Sequence, residues 1–496
     1  MTALVLSNAC AAHKPPKSTS ASPAPSAAVR QLRDDLTQVF GAPIAARGVW
    51  GVEIRSLDSG ERLFEHDAGK LMMPASNMKI LTVAAAAETL GWDYRYTTTL
   101  ETTGTIEDGV LRGDLVVRGT GDPTINSRSD RAAQVLDEWI GALAAAGIRR
   151  IDGRIIGNDQ AFDDEGLGAG WAWDYLQYGY AAPVGALQYD EDVAALVVTP
   201  GATVGAPAAI RLENGSGLVV LNRGWTAAAG TETTIDYRRH LEQPLLEITG
   251  AIALGASAVT RTVAVVNPTL FFVQSLKDAL AARGIDVTGP AVDFDDVAAE
   301  FAAPTPAHDS PRVLATTSSP PLKDIAVVLM KVSQNLYAET LLKTMGAARG
   351  GLGTIAAGQR VLRDQLKAWM VPDDSYVAVD GSGLSRYNYV TAETLTTVLE
   401  RMYRDPRHHD AFLATLPVAG KDGTASTRMR RTRAEGNALA KTGSISNVRS
   451  LSGFVRTRDG EMLVFSILAN DFVIPSATIN WIADLAVETL SNFTRK

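Results

Sequence analysis

Ser76 and Lys79 stand three positions apart in Pro74-Ala-Ser-Asn-Met-Lys-Ile80. Residues at that spacing share one face of a helix, so a hydroxyl and an amine can meet. The segment that follows, Leu81 to Leu90, is apolar enough for a buried helix, and Gly91 is a natural stop. With Pro74 just ahead of the start, Ser76 falls in the first turn. There the free backbone N–H groups and the helix dipole favour negative charge. A serine alkoxide needs such a place, and Lys79 could take its proton. Ser-x-x-Lys alone is weak evidence, because a capping serine and a solvated lysine give the same letters. It nevertheless occurs only once in this chain, and the helix it opens is too apolar for an exposed lysine.

Two further motifs lie far downstream. Ser333-Gln-Asn335 interrupts the apolar, helically spaced segment Leu322 to Met345. Lys441-Thr442-Gly443-Ser444 sits on a strand that leads to a partner strand around Leu451–Val455. Each can be read blandly, as a polar loop between helices and as an exposed edge strand. Their joint order, Ser-x-x-Lys, Ser-x-Asn, Lys-Thr-Gly, is hard to obtain by accident.

Composition narrows the classes. The chain has 496 residues, 46% hydrophobic and 21% charged, with a net charge of −8. Two or three domains are expected, and core size is not limiting. The one basic run is Arg428-Met-Arg-Arg-Thr-Arg433, which argues against a nucleic-acid partner. No charge-free apolar stretch is long enough to span a bilayer. Cys10 is the single cysteine, so an internal disulfide and a cysteine-based zinc site are both excluded. The six histidines show no metal-ligand spacing. Neither a Gly-x-Ser-x-Gly elbow nor a P-loop occurs. No metal or cofactor is expected.

The texture changes along the chain. Residues 1–28 combine an apolar stub, Ser7-Asn-Ala-Cys10 and a Ser/Pro/Ala/Lys-rich stretch, read as the remnant of a lipoprotein signal and a tether with Cys10 as candidate lipid anchor. Residues 29–93 give an amphipathic helix, a hairpin turned at Asp58-Ser-Gly60, and the Ser76 helix. Residues 94–309 are short strands and turns, with helices at about 131–146 and 269–283. After the Pro/Ser/Thr-rich stretch 302–321 the chain turns helical again and closes with the strands Leu439–Lys441, Leu451–Val455 and Met462–Leu468 and the helix Ser476–Asn492. The reading is an α/β (α+β) body formed by 29–93 and 310–496, interrupted by a β-rich insert at 94–309. The first and last helices should share one layer on one sheet.

The three motifs resemble those of the penicillin-recognising serine acyl-enzymes. More narrowly, the chain resembles the D-alanyl-D-alanine carboxypeptidase/endopeptidases, the low-molecular-mass class C penicillin-binding proteins. Gly121-Asp-Pro-Thr124, Gly170-Trp-Ala-Trp-Asp174, Ser333-Gln-Asn-Leu-Tyr-Ala-Glu339, Asp380-Gly-Ser-Gly-Leu-Ser-Arg386 and Leu416-Pro-Val-Ala-Gly420 carry the likeness over nearly all of the chain beyond about residue 30.

That resemblance implies a penicillin-binding, serine β-lactamase-like transpeptidase domain with an insert of two nested domains. It implies Ser76 as nucleophile, Lys79 as base, and Ser333 as proton relay to the departing amine. Asn335 would hold the substrate peptide. Lys441, Thr442, Gly443 and Ser444 would line the carboxylate and oxyanion side. Burial and the like charge of Lys441 are expected to lower the Lys79 pKa from its ordinary value of about 10.4. Asp174 is a candidate reader of a diaminopimelate side chain, Trp171 and Trp173 are expected in the insert's core, and Gln334 is expected to matter little.

The implied partners are peptidoglycan stem peptides and β-lactam antibiotics, with a membrane reached through Cys10 and a homodimer as further candidates. The implied location is the bacterial envelope or periplasm. A serine β-lactamase and a catalytically silent peptidoglycan-binding protein stay open. The first usually carries a Glu-x-x-Leu-Asn element that this chain lacks.

Overall fold

The computed structural model describes residues 25–240, 243–301 and 311–496. Cys10 and most of the proposed tether lie outside them. A five-stranded antiparallel sheet forms the body, in the order Arg62–His66, Val49–Ser56, Met462–Asn470, Val448–Arg456, Leu439–Ile445. Both chain ends therefore build one sheet, as the sequence pattern requires. Side chains alternate across it. Leu463, Phe465 and Ile467 point to one face with Val52 and Ile54, where the helices Ala27–Phe40 and Ser476–Asn492 pack. Val464, Leu468 and Phe454 point to the other, against the Ser76 helix and the helix Ala392–Arg404.

The Ser76 helix runs Met78–Leu90 and is preceded by a tight turn, Ala75–Asn77, that holds the serine. Ala84 to Ala87 are all buried. Their small side chains let the helices Asn335–Ala347 and Ala392–Arg404 approach closely. Gly91 ends the helix at φ 81°, a conformation that costs glycine little.

The apolar segment Leu322 to Met345 is two helices, Leu322–Lys331 and Asn335–Ala347, with the polar break between them at Ser333 and Gln334. Ser333 breaks it, with a left-handed φ of 63°. Gln334, expected to matter little, caps the second helix by accepting the Leu336 N–H at 3.2 Å and donates to Glu191 at 2.8 Å.

Between the two halves, a sheet ordered Ala291–Asp293, Ile155–Asn158, Leu115–Gly119, Thr97–Thr102, Arg312–Ser318 packs with the helices Arg131–Ala145 and Pro268–Ala282. A separate apolar cluster gathers the strands from Val193–Thr199 to Val259–Ala264. Strand Arg312–Ser318 pairs with Thr97–Thr102, so the chain re-enters the body at Ser319, beyond the 310 read from composition. There it meets the departing chain: Ser319 N–H donates to Tyr96 O at 3.0 Å, and Leu322 N–H to Tyr94 O at 2.8 Å.

Candidate active site

Three elements converge on one cleft of about 700 Å³, lined among others by Ser76, Ser333, Asn335, Thr442, Gly443 and Ser444. Lys79 and Lys441 stand just behind its wall, both wholly buried. Lys79 Nζ donates to Ser76 Oγ at 2.9 Å, Asn335 Oδ1 at 2.6 Å and the Ser382 carbonyl at 2.7 Å. Three acceptors match three ammonium protons. A neutral amine would keep two of those bonds and turn its lone pair to the third position. Asn335 Oδ1 and the Ser382 carbonyl cannot donate, so the lone pair would face the Ser76 hydroxyl.

Burial pulls the Lys79 pKa down to about 7, against the raising effect of the Asp380 and Glu339 carboxylates. The Lys441 charge is not what lowers it, contrary to part of the sequence-based expectation. The coupling instead weighs on Lys441, held well below its ordinary value by burial first and by Lys79 second. Lys441 Nζ donates to Ser333 Oγ and to the Thr442 carbonyl, each at 2.8 Å.

Strand Leu439–Ile445 is an edge of the sheet. Ala440 N–H turns outward and donates to Pro417 O at 2.9 Å. In an antiparallel ladder every second residue faces the same way, so the N–H and C=O of Thr442 and Ser444 also turn outward, into the cleft. Gly443 between them touches the serine turn. A methyl group there would overlap Ser450 Oγ and stand 2.8 Å from Pro74 O and 3.0 Å from Ser76 N. Asn77 Nδ2 ties the same turn to the strand by donating to Lys441 O at 3.0 Å. The backbone bends sharply at both hydroxyls, with left-handed φ at Ala75 (45°) and at Ser333 (63°). For non-glycine residues such conformations persist only where the surroundings impose them.

Glu339 is a participant the sequence reading did not single out, although a carboxylate four residues after Asn335 in an apolar helix is a signal. It accepts the N–H groups of Gly381 at 2.9 Å and Ser382 at 2.8 Å and so aims the Ser382 carbonyl at Lys79. Burial first, and then the Asp380 charge, push Glu339 upward. Asp380, read as part of a glycine turn, is buried and accepts from Gly383 N, Ser385 N and Asn388 Nδ2, closing that turn.

The insert supplies one wall. Asn335 Nδ2 donates to the Tyr180 carbonyl at 2.7 Å, Tyr175 bonds Ser446 Oγ at 2.9 Å, and Trp171 donates to Asp380 at 3.0 Å. Trp171 is thus half-buried against Asp380, and Trp173 is 59% exposed. Neither is in the insert's core. Asp174 is exposed and does not line the cleft, where Tyr175 and Tyr180 stand.

Two clusters of metal-ligating side chains occur among the described residues, both away from the cleft lining. Arg407 neutralises Glu88 and Asp405 beside His408. Asp159, Asp293 and Asp295 form the other, with Asp159 raised to about 6 mainly by burial.

A buried amine on a serine hydroxyl, a second amine on a second hydroxyl, and an open strand edge define a serine acyl-transfer enzyme of the penicillin-recognising kind. Residues 32–489 match the model of the D-Ala-D-Ala carboxypeptidase 3 (S13) family. The chain belongs to that family of serine carboxypeptidases. It is 35% identical over 456 residues to a D-alanyl-D-alanine carboxypeptidase of Actinomadura sp. (strain R39), covering 90% of this chain and 82% of that one. It is 26% identical over 434 residues to D-alanyl-D-alanine carboxypeptidase DacB of Haemophilus influenzae, covering 85% of each. The fold is similar to that of penicillin binding protein 4 (dacB) from Haemophilus influenzae, with a TM-score of 0.79 at 24% identity over 93% of this chain and 99% of that one.

Proposed function

We propose that the protein acts on peptidoglycan as a serine DD-peptidase acylated at Ser76, releasing terminal D-alanine from stem pentapeptides and cleaving D-Ala–diaminopimelate cross-links. Neutral Lys79 accepts the Ser76 proton as Oγ bonds to the carbonyl carbon of the penultimate D-alanine. The carbonyl electron pair moves to oxygen, where the outward N–H groups of Ser76 and Ser444 receive it. Collapse of that oxyanion breaks the C–N bond, and the departing amine takes the proton that Lys79 received, relayed through Ser333, which leaves Lys79 neutral again while Lys441 holds Ser333 in place. Asn335 holds the substrate peptide. Lys441, Thr442 and Ser444 hold the terminal carboxylate, whose charge raises the Lys441 pKa on binding. Water then attacks the ester, with Lys79 as base, and frees Ser76. A β-lactam follows the first half of this path and leaves slowly.

The observation that carries this reading is Lys79 Nζ, wholly buried and 2.9 Å from Ser76 Oγ with its pKa pulled to about 7. The test is a defined stem pentapeptide followed by mass spectrometry. Loss of one D-alanine with wild type and none with Ser76→Ala is expected. Equal release by the variant defeats the assignment.

No helix among the described residues is long and apolar enough to cross a membrane. An envelope location with lipid on Cys10 accords with the substrate. Incorporation of labelled palmitate that Cys10→Ser abolishes is the expected check.

A further inference from the structure

A second cavity, of about 510 Å³, opens on the far side of the Ser333–Asn335 loop and shares Tyr180, Ser333 and Asn335 with the catalytic cleft. The insert builds most of it. Tyr178 and Tyr180 stack with ring centres 5.3 Å apart and planes at 22°, and Tyr178 meets Tyr237 edge-on at 5.7 Å. These rings form a firm aromatic wall. Arg128 and Glu191 also line the cavity but neutralise each other, Arg128 donating through Nε at 2.9 Å and Nη2 at 2.8 Å. Arg261 has no carboxylate within ion-pairing distance among the described residues; its one polar contact there is Nη1 donating to the Thr260 carbonyl at 3.0 Å. The cavity therefore offers aromatic faces and one uncompensated cation.

Its place relative to the chemistry suggests an occupant. The proton for the departing amine comes from Ser333, so the leaving group sits against that residue. A single D-alanine leaves without needing more room. The leaving group of a cross-link is a whole second stem peptide, which carries carboxylates along its backbone. The cavity adjoins the catalytic cleft at Ser333 and could accept such a body.

The loop that divides the two spaces is also anchored from this side. Asp190, Glu191 and Asp192 run consecutively at left-handed φ of 50°, 58° and 55°, each disfavoured by about 1–2 kcal/mol for an L-residue. That strained run directs Glu191 to both Arg128 and Gln334. The partition between cleft and cavity is a built wall.

Resting on the reading above, we infer that this cavity is the subsite for the carboxylate-bearing leaving peptide in cross-link cleavage, with Arg261 as its anionic anchor and Tyr178 and Tyr237 as its apolar floor. Arg261 is exposed, so Arg261→Ala and Arg261→Glu should fold as wild type does. Each variant is assayed on a cross-linked muropeptide dimer and on the monomeric pentapeptide, with benzylpenicillin acylation in parallel. KM for the dimer should rise about tenfold in Arg261→Ala and further in Arg261→Glu, with Arg261→Lys restoring most of it. D-alanine release from the monomer and penicillin acylation should be unchanged. Equal loss on both substrates, no change on either, or a wild type that releases D-alanine but leaves the dimer intact would overturn the subsite. Failure of wild type to bind penicillin or release D-alanine would instead count against the parent reading.

Discussion

In the proposed mechanism the chemistry turns on Lys79, whose neutral form would accept the Ser76 proton; burial pulls its pKa down to about 7. The rate of β-lactam acylation should therefore rise with pH through about 7 and level above it, dropping about tenfold for each unit below. A profile flat from about pH 5 to 9 contradicts this. The linkage to stability has the same origin. A lysine depressed in the folded state binds fewer protons there than in the unfolded chain between about 7 and 10.5, so this group makes stability rise with pH across that window. Lys441, also depressed, adds in the same direction. Gly443 gives a steric test at the same scale. Gly443→Ala puts a methyl group against Pro74 O and Ser76 N, and stopped-flow acylation should slow by about 10²-fold, the cost of spoiling one oxyanion donor. The residue types of this site were legible in the sequence, because a hydroxyl–amine pair has few other uses in an apolar helix. The acceptors that surround Lys79 were not: the Ser382 carbonyl is backbone, and its aim depends on a contact with Glu339 that links residues more than 40 positions apart.

At the level of elements, helix Asn335–Ala347 does two jobs. Its first residue faces Lys79, and one turn later Glu339 fixes the loop Gly381–Ser382. Glu339 is raised to about 8 by burial and by the Asp380 charge, so it is largely protonated where Lys79 titrates, near 7. Glu339→Gln should therefore leave the acidic limb of the acylation profile close to its wild-type pH, while the melting temperature falls, because the amide offers one acceptor oxygen where the carboxyl group offers two to the N–H groups of Gly381 and Ser382, and one left unpaired costs about 1–3 kcal/mol. A limb clearly displaced to lower pH would show that Glu339 carries its charge beside Lys79. Hydrophobic periodicity foretold the helices at either end and the hairpin Val49–His66 well, since each has one apolar face. It marked Ser333-Gln-Asn335 as an interruption but left open whether two helices flank it, because the break is a single serine at positive φ, and no glycine or proline marks it. Trp173 was misplaced for a similar reason. Aromatic content suggests burial, yet here the loop serves as a cleft wall rather than as core.

For the whole molecule, the insert is best understood as part of the site. It bonds Asn335, Asp380 and Ser446, and the chain leaves and re-enters the body where Tyr94–Tyr96 meets Ser319–Leu322. A short linker could join those ends. Lys343 would then lose Asp163, its ion-pair partner at 2.7 Å, together with the Asp163 and Val184 carbonyls and the Phe162 ring, all supplied by the insert. Excision removes the segments that cover that amine, so the ammonium reaches water and no change at Lys343 is needed for a folded body. That body should acylate more slowly than the full chain, as measured by penicillin labelling; an unchanged rate would show that the wall is dispensable. Composition placed the far boundary of an insert at 310, inside the stretch ahead of strand Arg312–Ser318, because that strand's pairing with Thr97–Thr102 is a long-range fact that no local pattern records. The central claim is that segments around residues 76, 333 and 441 surround one acyl carbon. Intact-mass and peptide mapping after incubation with benzylpenicillin test it most directly. One penicilloyl group on the peptide containing Ser76, absent in a folded Ser76→Ala protein, is the predicted result. An adduct that persists in that variant, or maps to another residue, contradicts it.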